Sequence, residues 1–178
     1  MAAVVSRRSL VGIAFIVGGA LLALAALVGL AASPGPEVAR VLSFVADLAI
    51  AAGFVLLALE VAAVATRVAL IVAAAGWLLF ALGELAGLPG QLGTVAAIAA
   101  AGGGLAAAIL LRSSGFFGPR AAIVFLVATA AYAVLVFFGI LGVDLQGVGL
   151  LLTLIFAAGL IVTGVLLQRG RAASRPVV

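Results

Sequence analysis

The sequence predicts an all-α integral membrane fold, a six-transmembrane-helix bundle built from a single domain over residues 1–178. The first observation behind this is composition: 68% of the residues are hydrophobic and 8% charged, with a mean hydropathy of +1.55, whereas soluble domains carry about 25% charged residues. The second is spacing. The apolar sequence falls into six runs, each near the roughly 20 residues a helix needs to cross a bilayer core. The third is charge, because all nine basic residues are Arg and only Arg40 falls opposite the others if six helices alternate in direction. Excess Arg marks the cytoplasmic face, so both termini are expected inside a bacterial inner (plasma) membrane. Glu37, Glu84 and Asp144 then lie toward the outer face.

Helix one is expected over about 9–32, behind Arg7 and Arg8. The paired arginines also suit a twin-arginine export signal, but the apolar run exceeds a signal core and further spans follow it. A first helix held at its cytoplasmic end is therefore the expectation. Ser33-Pro34-Gly35-Pro36-Glu37 breaks the chain, since proline lacks an amide donor and glycine loosens the backbone. Helix two follows over about 41–66, with Arg67 at the turn, and helix three over 68–88, ended by Pro89-Gly90. Helix four, 92–111, is dominated by Ala and Gly. Its Gly102, Gly103 and Gly104 admit close backbone approach, which places it at the centre of the bundle; a hinge is the other use of such a triplet. Arg112 to Arg120 forms a polar connection with Phe116 and Phe117 at the interface, helices five and six run over 121–142 and 148–168, and a tail over 169–178 is expected to be disordered.

Self-alignment suggests three helix hairpins of the same membrane orientation. An offset of 58 sets Gly18 on Gly76, Leu21 on Leu79 and Leu24 on Leu82, and an offset of 55 sets Trp77 on Tyr132, Gly104 on Gly159 and Leu111 on Leu166. Composition alone also yields matches in an Ala/Leu-rich chain. A true repeat of this kind has a pseudo-symmetry axis along the membrane normal, unlike inverted-repeat transporters. Arg7-Arg8 leading into Leu-Val-Gly-Ile-Ala-Phe-Ile-Val-Gly-Gly-Ala-Leu-Leu, the proline break after it and the three same-sense hairpins resemble the HdeD-type family of six-helix bacterial membrane proteins. That resemblance implies an inner-membrane protein of envelope or acid-stress physiology, and it carries no catalytic residues.

The chain has no Cys and no His. Disulfides, thiol nucleophiles, imidazole acid–base chemistry and the usual zinc sites are excluded, and with them rhomboid-like, zinc-dependent intramembrane and thiol-oxidase activities. No helix repeats Arg at every third position, as voltage sensing requires. Phosphate-loop signatures are absent. No enzyme activity, cofactor, metal or nucleic-acid partner is expected.

The candidate chemistry lies in the second span, which holds Asp47 and Glu60; an ionisable group at membrane depth calls for a partner or a function. Asp47 stands seven residues, about 10 Å of helix, from Arg40 and on nearly the same face. Arg40, Asp47 and Glu84 are expected to form an outer-side polar cluster. It is either an ion pair anchoring Arg40 or, with Trp77 and Tyr132, a ligand, proton or cation pocket. Glu60 and Arg67 are expected to pair at the inner side by snorkelling. A proton path from Asp47 to Glu60 must bridge roughly 20 Å through hydroxyls such as Thr129, Tyr132 or Thr153. Trp77 and Tyr132 sit mid-span, where each ring is expected to hydrogen-bond a neighbouring helix.

Two functions remain. The first is a non-enzymatic inner-membrane protein acting through membrane lipids, self-association or a membrane-protein partner, with its carboxylates paired and dry. The alternative is a small-solute or proton-coupled transport component resembling the substrate-binding membrane subunits of vitamin importers in helix count and length, with Asp47 pointing into an outer-side cavity.

Overall fold

The computed structural model describes residues 7–30, 35–86, 90–143 and 146–169. They form six helices: α1 (Arg7–Val28), α2 (Gly35–Glu60), α3 (Val64–Ala86), α4 (Gly90–Ser113), α5 (Pro119–Ile140) and α6 (Gln146–Arg169). All six are long and apolar enough to cross a membrane, which makes this a polytopic membrane protein. Large aliphatic side chains such as Leu24, Val41, Val68, Ile98, Val127 and Leu151 are exposed around the bundle, the pattern of a surface solvated by lipid rather than water. The expected tail falls, beyond Arg169, outside the described residues, as do Asp144 and the links at 31–34 and 87–89.

Element boundaries follow backbone chemistry that hydropathy does not report. Pro36 stands in the first turn of α2 and Pro119 at the start of α5, where an amide donor has no intrahelical acceptor to lose. Gly35, Pro36 and Glu37, read as part of the break before helix two, therefore begin it. The expected second helix over 41–66 is corrected at its other end: α2 stops at Glu60, and residues 61–63 turn the chain before α3. This turn contains neither proline nor glycine. Arg67, inside the first turn of α3, sends Nη2 back to the Val61 carbonyl at 2.9 Å, satisfying an acceptor that the broken helix leaves open.

The helices close a ring. Each packs its backbone against its neighbours in sequence, and α6 closes onto α1, with no other pair of helix backbones in close approach among the described residues; the other helices meet only through side chains on the axis. The expectation that α4 lies at the centre is thus overturned: it is one member of the ring, packed between α3 and α5. Its small residues serve that edge-to-edge approach. A Cβ on Gly103 would lie 2.6 Å from the Ala73 amide nitrogen and 2.8 Å from the Ala69 carbonyl oxygen, so only glycine fits there. Gly104 faces Thr129 and Phe54 at ordinary van der Waals distance, and Gly102 points into open space. Of the glycine triplet, one residue makes the close contact.

That contact recurs in all three hairpins. Gly53 of α2 lies against Phe15 of α1, Gly103 of α4 against Ala73 of α3, and Gly159 of α6 against Ala128 of α5. Phe15, Ala73 and Ala128 are spaced by 58 and 55 residues, the offsets of the self-alignment. The three contact glycines are spaced by 50 and 56 residues instead, eight fewer and one more than those offsets, differences absorbed in the connections. The bundle is therefore three like hairpins around a pseudo-threefold axis, with α1, α3 and α5 running in one sense and α2, α4 and α6 in the other.

Aromatic rings fill the axis near the end that carries the termini. Phe15, Phe54 and Phe125 are fully buried, with ring centroids 5.6, 5.7 and 6.0 Å apart, and Phe117 meets Phe125 edge-on at 5.6 Å. Arg8, Arg67, Arg112, Arg120 and Arg169 stand at this same end. There Arg8 covers the Phe116 ring at 4.7 Å, a cation–π contact at the rim.

Candidate functional site

Toward the opposite end, nearer the α1–α2, α3–α4 and α5–α6 connections, the axis is hollow. A cavity of about 200 Å³ is lined by Leu22 of α1, Ser43 and Asp47 of α2, Trp77, Phe80 and Glu84 of α3, Tyr132 of α5 and Thr153 of α6. It far exceeds the roughly 10–15 Å³ that one water requires, yet is smaller than the roughly 300–1,000 Å³ of pockets for drug-sized ligands.

Repeat geometry explains why these side chains converge. Leu22 and Phe80 are equivalent at the offset of 58, and Trp77 and Tyr132 at the offset of 55. Asp47 and Thr153 each stand six residues before the glycine of their own hairpin contact. The corresponding place in α4 is Ala97, and α4 contributes nothing to the wall. Equivalent backbone positions thus carry a carboxylate, a methyl group and a hydroxyl, giving the cavity one acidic side.

Its floor is aromatic. Trp77 stacks on Tyr132 at 4.9 Å and on Phe156 at 5.5 Å, nearly parallel to the latter at 2°, while Tyr132 and Phe156 are 4.8 Å apart. Such stacked pairs contribute about 0.5–1.5 kcal/mol beyond area burial. Among the described residues, stacking rather than the expected interhelical hydrogen bonds is the contact the two mid-span rings make. Below them lies the phenylalanine layer, so the cavity has a closed bottom.

The polar atoms are mostly acceptors. Asp47 is only 5% exposed, and among the described residues no side-chain hydrogen bond reaches it. The Thr153 hydroxyl donates to the Gly149 carbonyl at 2.9 Å, which leaves its oxygen lone pairs facing the cavity. Four of the five residues of the expected outer cluster, Asp47, Glu84, Trp77 and Tyr132, meet here. Arg40 does not: it is exposed and is not part of the wall. Seven residues of helix bring two positions onto one face, but that face turns outward at the helix end, where an arginine reaches solvent or headgroups more readily than the bundle interior.

At the inner side, the hydrogen bond formed by Arg67 goes to the Val61 carbonyl and not to Glu60, which is half-buried. The expected Glu60–Arg67 pair is replaced by a guanidinium cap on the end of α2. The route proposed between Asp47 and Glu60 is interrupted as well. The Thr129 hydroxyl donates within its own helix, to the carbonyls of Phe125 at 2.9 Å and Leu126 at 3.1 Å, and the phenylalanine layer occupies the intervening axis.

Sequence reasoning missed Ser43, Phe80 and the Phe156 floor. Phe156 was within reach, because it occupies in α6 the place of Ile50 in α2, three residues before the hairpin glycine in each case. Comparison of the chain with protein-family models, with curated proteins and with solved structures gives no match.

Proposed function

We propose that this membrane protein binds a small polar solute in a one-sided axial pocket, as the binding component of a transport system. The observation that carries the proposal is Asp47: a carboxylate withdrawn into the bundle, 5% exposed, facing a cavity with no counter-ion among the described residues. Burying an ionisable group among apolar helices costs several kcal/mol unless something compensates it. A purely structural role predicts that carboxylate paired and dry. A solute that supplies the missing contacts accounts for its position.

The closed floor suits binding and occlusion rather than a permanent channel, because an open pore through this axis has no place for the stacked rings of Trp77, Tyr132 and Phe156. Transfer across the membrane then requires a partner or a second conformation of the ring, in which the three hairpins move against one another. Arg at the terminus-bearing end supports a cytoplasmic placement of that end, so that the pocket opens outward. A role in envelope or acid stress, implied by the family resemblance, is compatible with solute binding and adds no residue to it.

The test is native mass spectrometry of the protein released gently from its own membrane. A small-molecule adduct on the unaltered chain, absent from Asp47→Asn at equal folded yield, is the expected result. A bare chain in both forms contradicts the proposal.

A further inference from the structure

We infer that the occupant of the axial pocket presents a primary ammonium group, so that the site recognises a small amine rather than a neutral solute, an anion or a bare metal ion. The inference rests on the solute-binding function above and deepens it. Its grounds are the charge and the hydrogen-bonding sense of the wall. Two carboxylates, Asp47 and Glu84, face the cavity, and among the described residues no lining side chain is basic. Arg40, which would neutralise them, stands outside. The Thr153 hydroxyl has already given its hydrogen to Gly149, so it can only accept. Ser43, Trp77 and Tyr132 add donors of their own, but the two carboxylates and the Thr153 oxygen are best met together by a ligand that brings positive charge and N–H donors, and charge-assisted hydrogen bonds to carboxylates are the strongest such contacts.

The remaining wall separates an organic cation from a metal ion. Trp77, Phe80 and Tyr132 offer aromatic surface, which attracts ammonium groups and packs against alkyl chains. Hard divalent cations instead require about six or more oxygen ligands, and among the described residues no group of three or more acidic, His or Cys side chains comes together. A cavity of about 200 Å³ admits a short alkylamine. It also admits the ammonium end of an aminophospholipid headgroup reaching in from the bilayer. The two share one chemistry and are separable by the lipid used.

Trp77 is the only tryptophan of the chain and lines the cavity, so intrinsic fluorescence reports on the site directly. The protein is reconstituted in phosphatidylglycerol nanodiscs and its emission titrated with propylammonium, tetramethylammonium, 1-propanol and sodium, each as a separate probe. We expect a saturable response to propylammonium, at least tenfold weaker for tetramethylammonium, which has no N–H to donate, and none for propanol or sodium. Asp47→Asn is expected to weaken propylammonium at least tenfold. Thr153→Val, which keeps the volume and removes one acceptor, is expected to weaken it severalfold and covers the case in which Asp47→Asn fails to fold. Added phosphatidylethanolamine that competes with propylammonium assigns the ammonium to a lipid; unchanged affinity assigns it to a free amine. A propanol or sodium response equal to that of propylammonium overturns the ammonium inference and leaves a solute pocket standing. Silence to all four probes while acrylamide still quenches Trp77 does the same. Silence together with a Trp77 shielded from acrylamide overturns the pocket itself.

Discussion

The two halves of the bundle axis are built on one repeat and filled in opposite ways. Near the termini, positions facing the axis carry Phe15, Phe54 and Phe125, which meet one another with no room for solvent. Toward the other end, α2 and α6 present Asp47 and Thr153 to a cavity. Their counterpart in α4 is the small Ala97. Large rings drawn from positions that the repeat does not relate give a plug, since the equivalents of Phe15 are Ala73 and Ala128, whereas unlike side chains at the equivalent positions 47, 97 and 153 leave space and charge asymmetry. The backbone repeat supplies the ring, and departures from sequence identity within the repeat supply the site.

Substitutions at the two levels should separate stability from binding. The largest stability effect is expected for Phe125→Ala, which opens a hole touching three other phenylalanines. A loss of about 3 kcal/mol is expected, the low end of the range for such truncations, because lipid offers no hydrophobic driving force and the loss is mainly of packing. Reversible unfolding in mixed micelles measures it, and the cavity should keep its ligand affinity in the fraction that remains folded. Next comes Gly103→Ala, whose new methyl group meets the backbone of α3; about 1–3 kcal/mol is expected from overpacking. The same change at Gly102, which faces open space, should be neutral or slightly stabilising, since Ala is the better helix former by up to about 1 kcal/mol.

In the hollow half the sign reverses. Asp47→Asn should leave the melting temperature unchanged or raise it, because an uncompensated carboxylate is removed from the interior, while ligand binding is lost. That combination is the signature of a group kept for function at a cost in stability. A large drop in melting temperature instead would show that Asp47 holds the fold together and would erase the contrast between the halves. A modest gain is expected at Thr163, whose fully buried hydroxyl has no hydrogen-bond partner among the described residues. Thr163→Val should stabilise by about 1 kcal/mol, as removal of an unsatisfied buried group does.

The contrast also marks what a sequence of this kind discloses. Six spans and their alternation were legible, since bilayer thickness imposes a length on each helix, and Asp47 and Glu84 stood out because charge is rare in such segments. The inward faces were not legible. In a soluble helix the apolar stripe points to the core, but here lipid-facing and core-facing sides are both apolar, so neither ring closure by α6 onto α1 nor the peripheral place of α4 leaves a periodic trace. The turn at residues 61–63 escaped for a related reason: its stop signal is Arg67 reaching back to the Val61 carbonyl, a contact across the break rather than a residue within it. Arg40 misled because proximity along a helix does not decide which way a long side chain bends. The repeat, by contrast, was visible at the offsets that relate α1, α3 and α5, which carried the pairing of Trp77 with Tyr132, but not at the spacings of 50 and 56 residues that relate α2, α4 and α6.

The central claim, an axis open at one end and plugged at the other, is tested most directly by sided labelling. The chain contains no cysteine, so Thr153→Cys and Phe54→Cys each introduce a unique thiol. In sealed vesicles of known orientation, a membrane-impermeant thiol reagent should modify Thr153→Cys only from the face opposite the termini, and Phe54→Cys from neither face. Modification of Phe54→Cys, or a Thr153→Cys that stays unreactive from both sides, would contradict the claim.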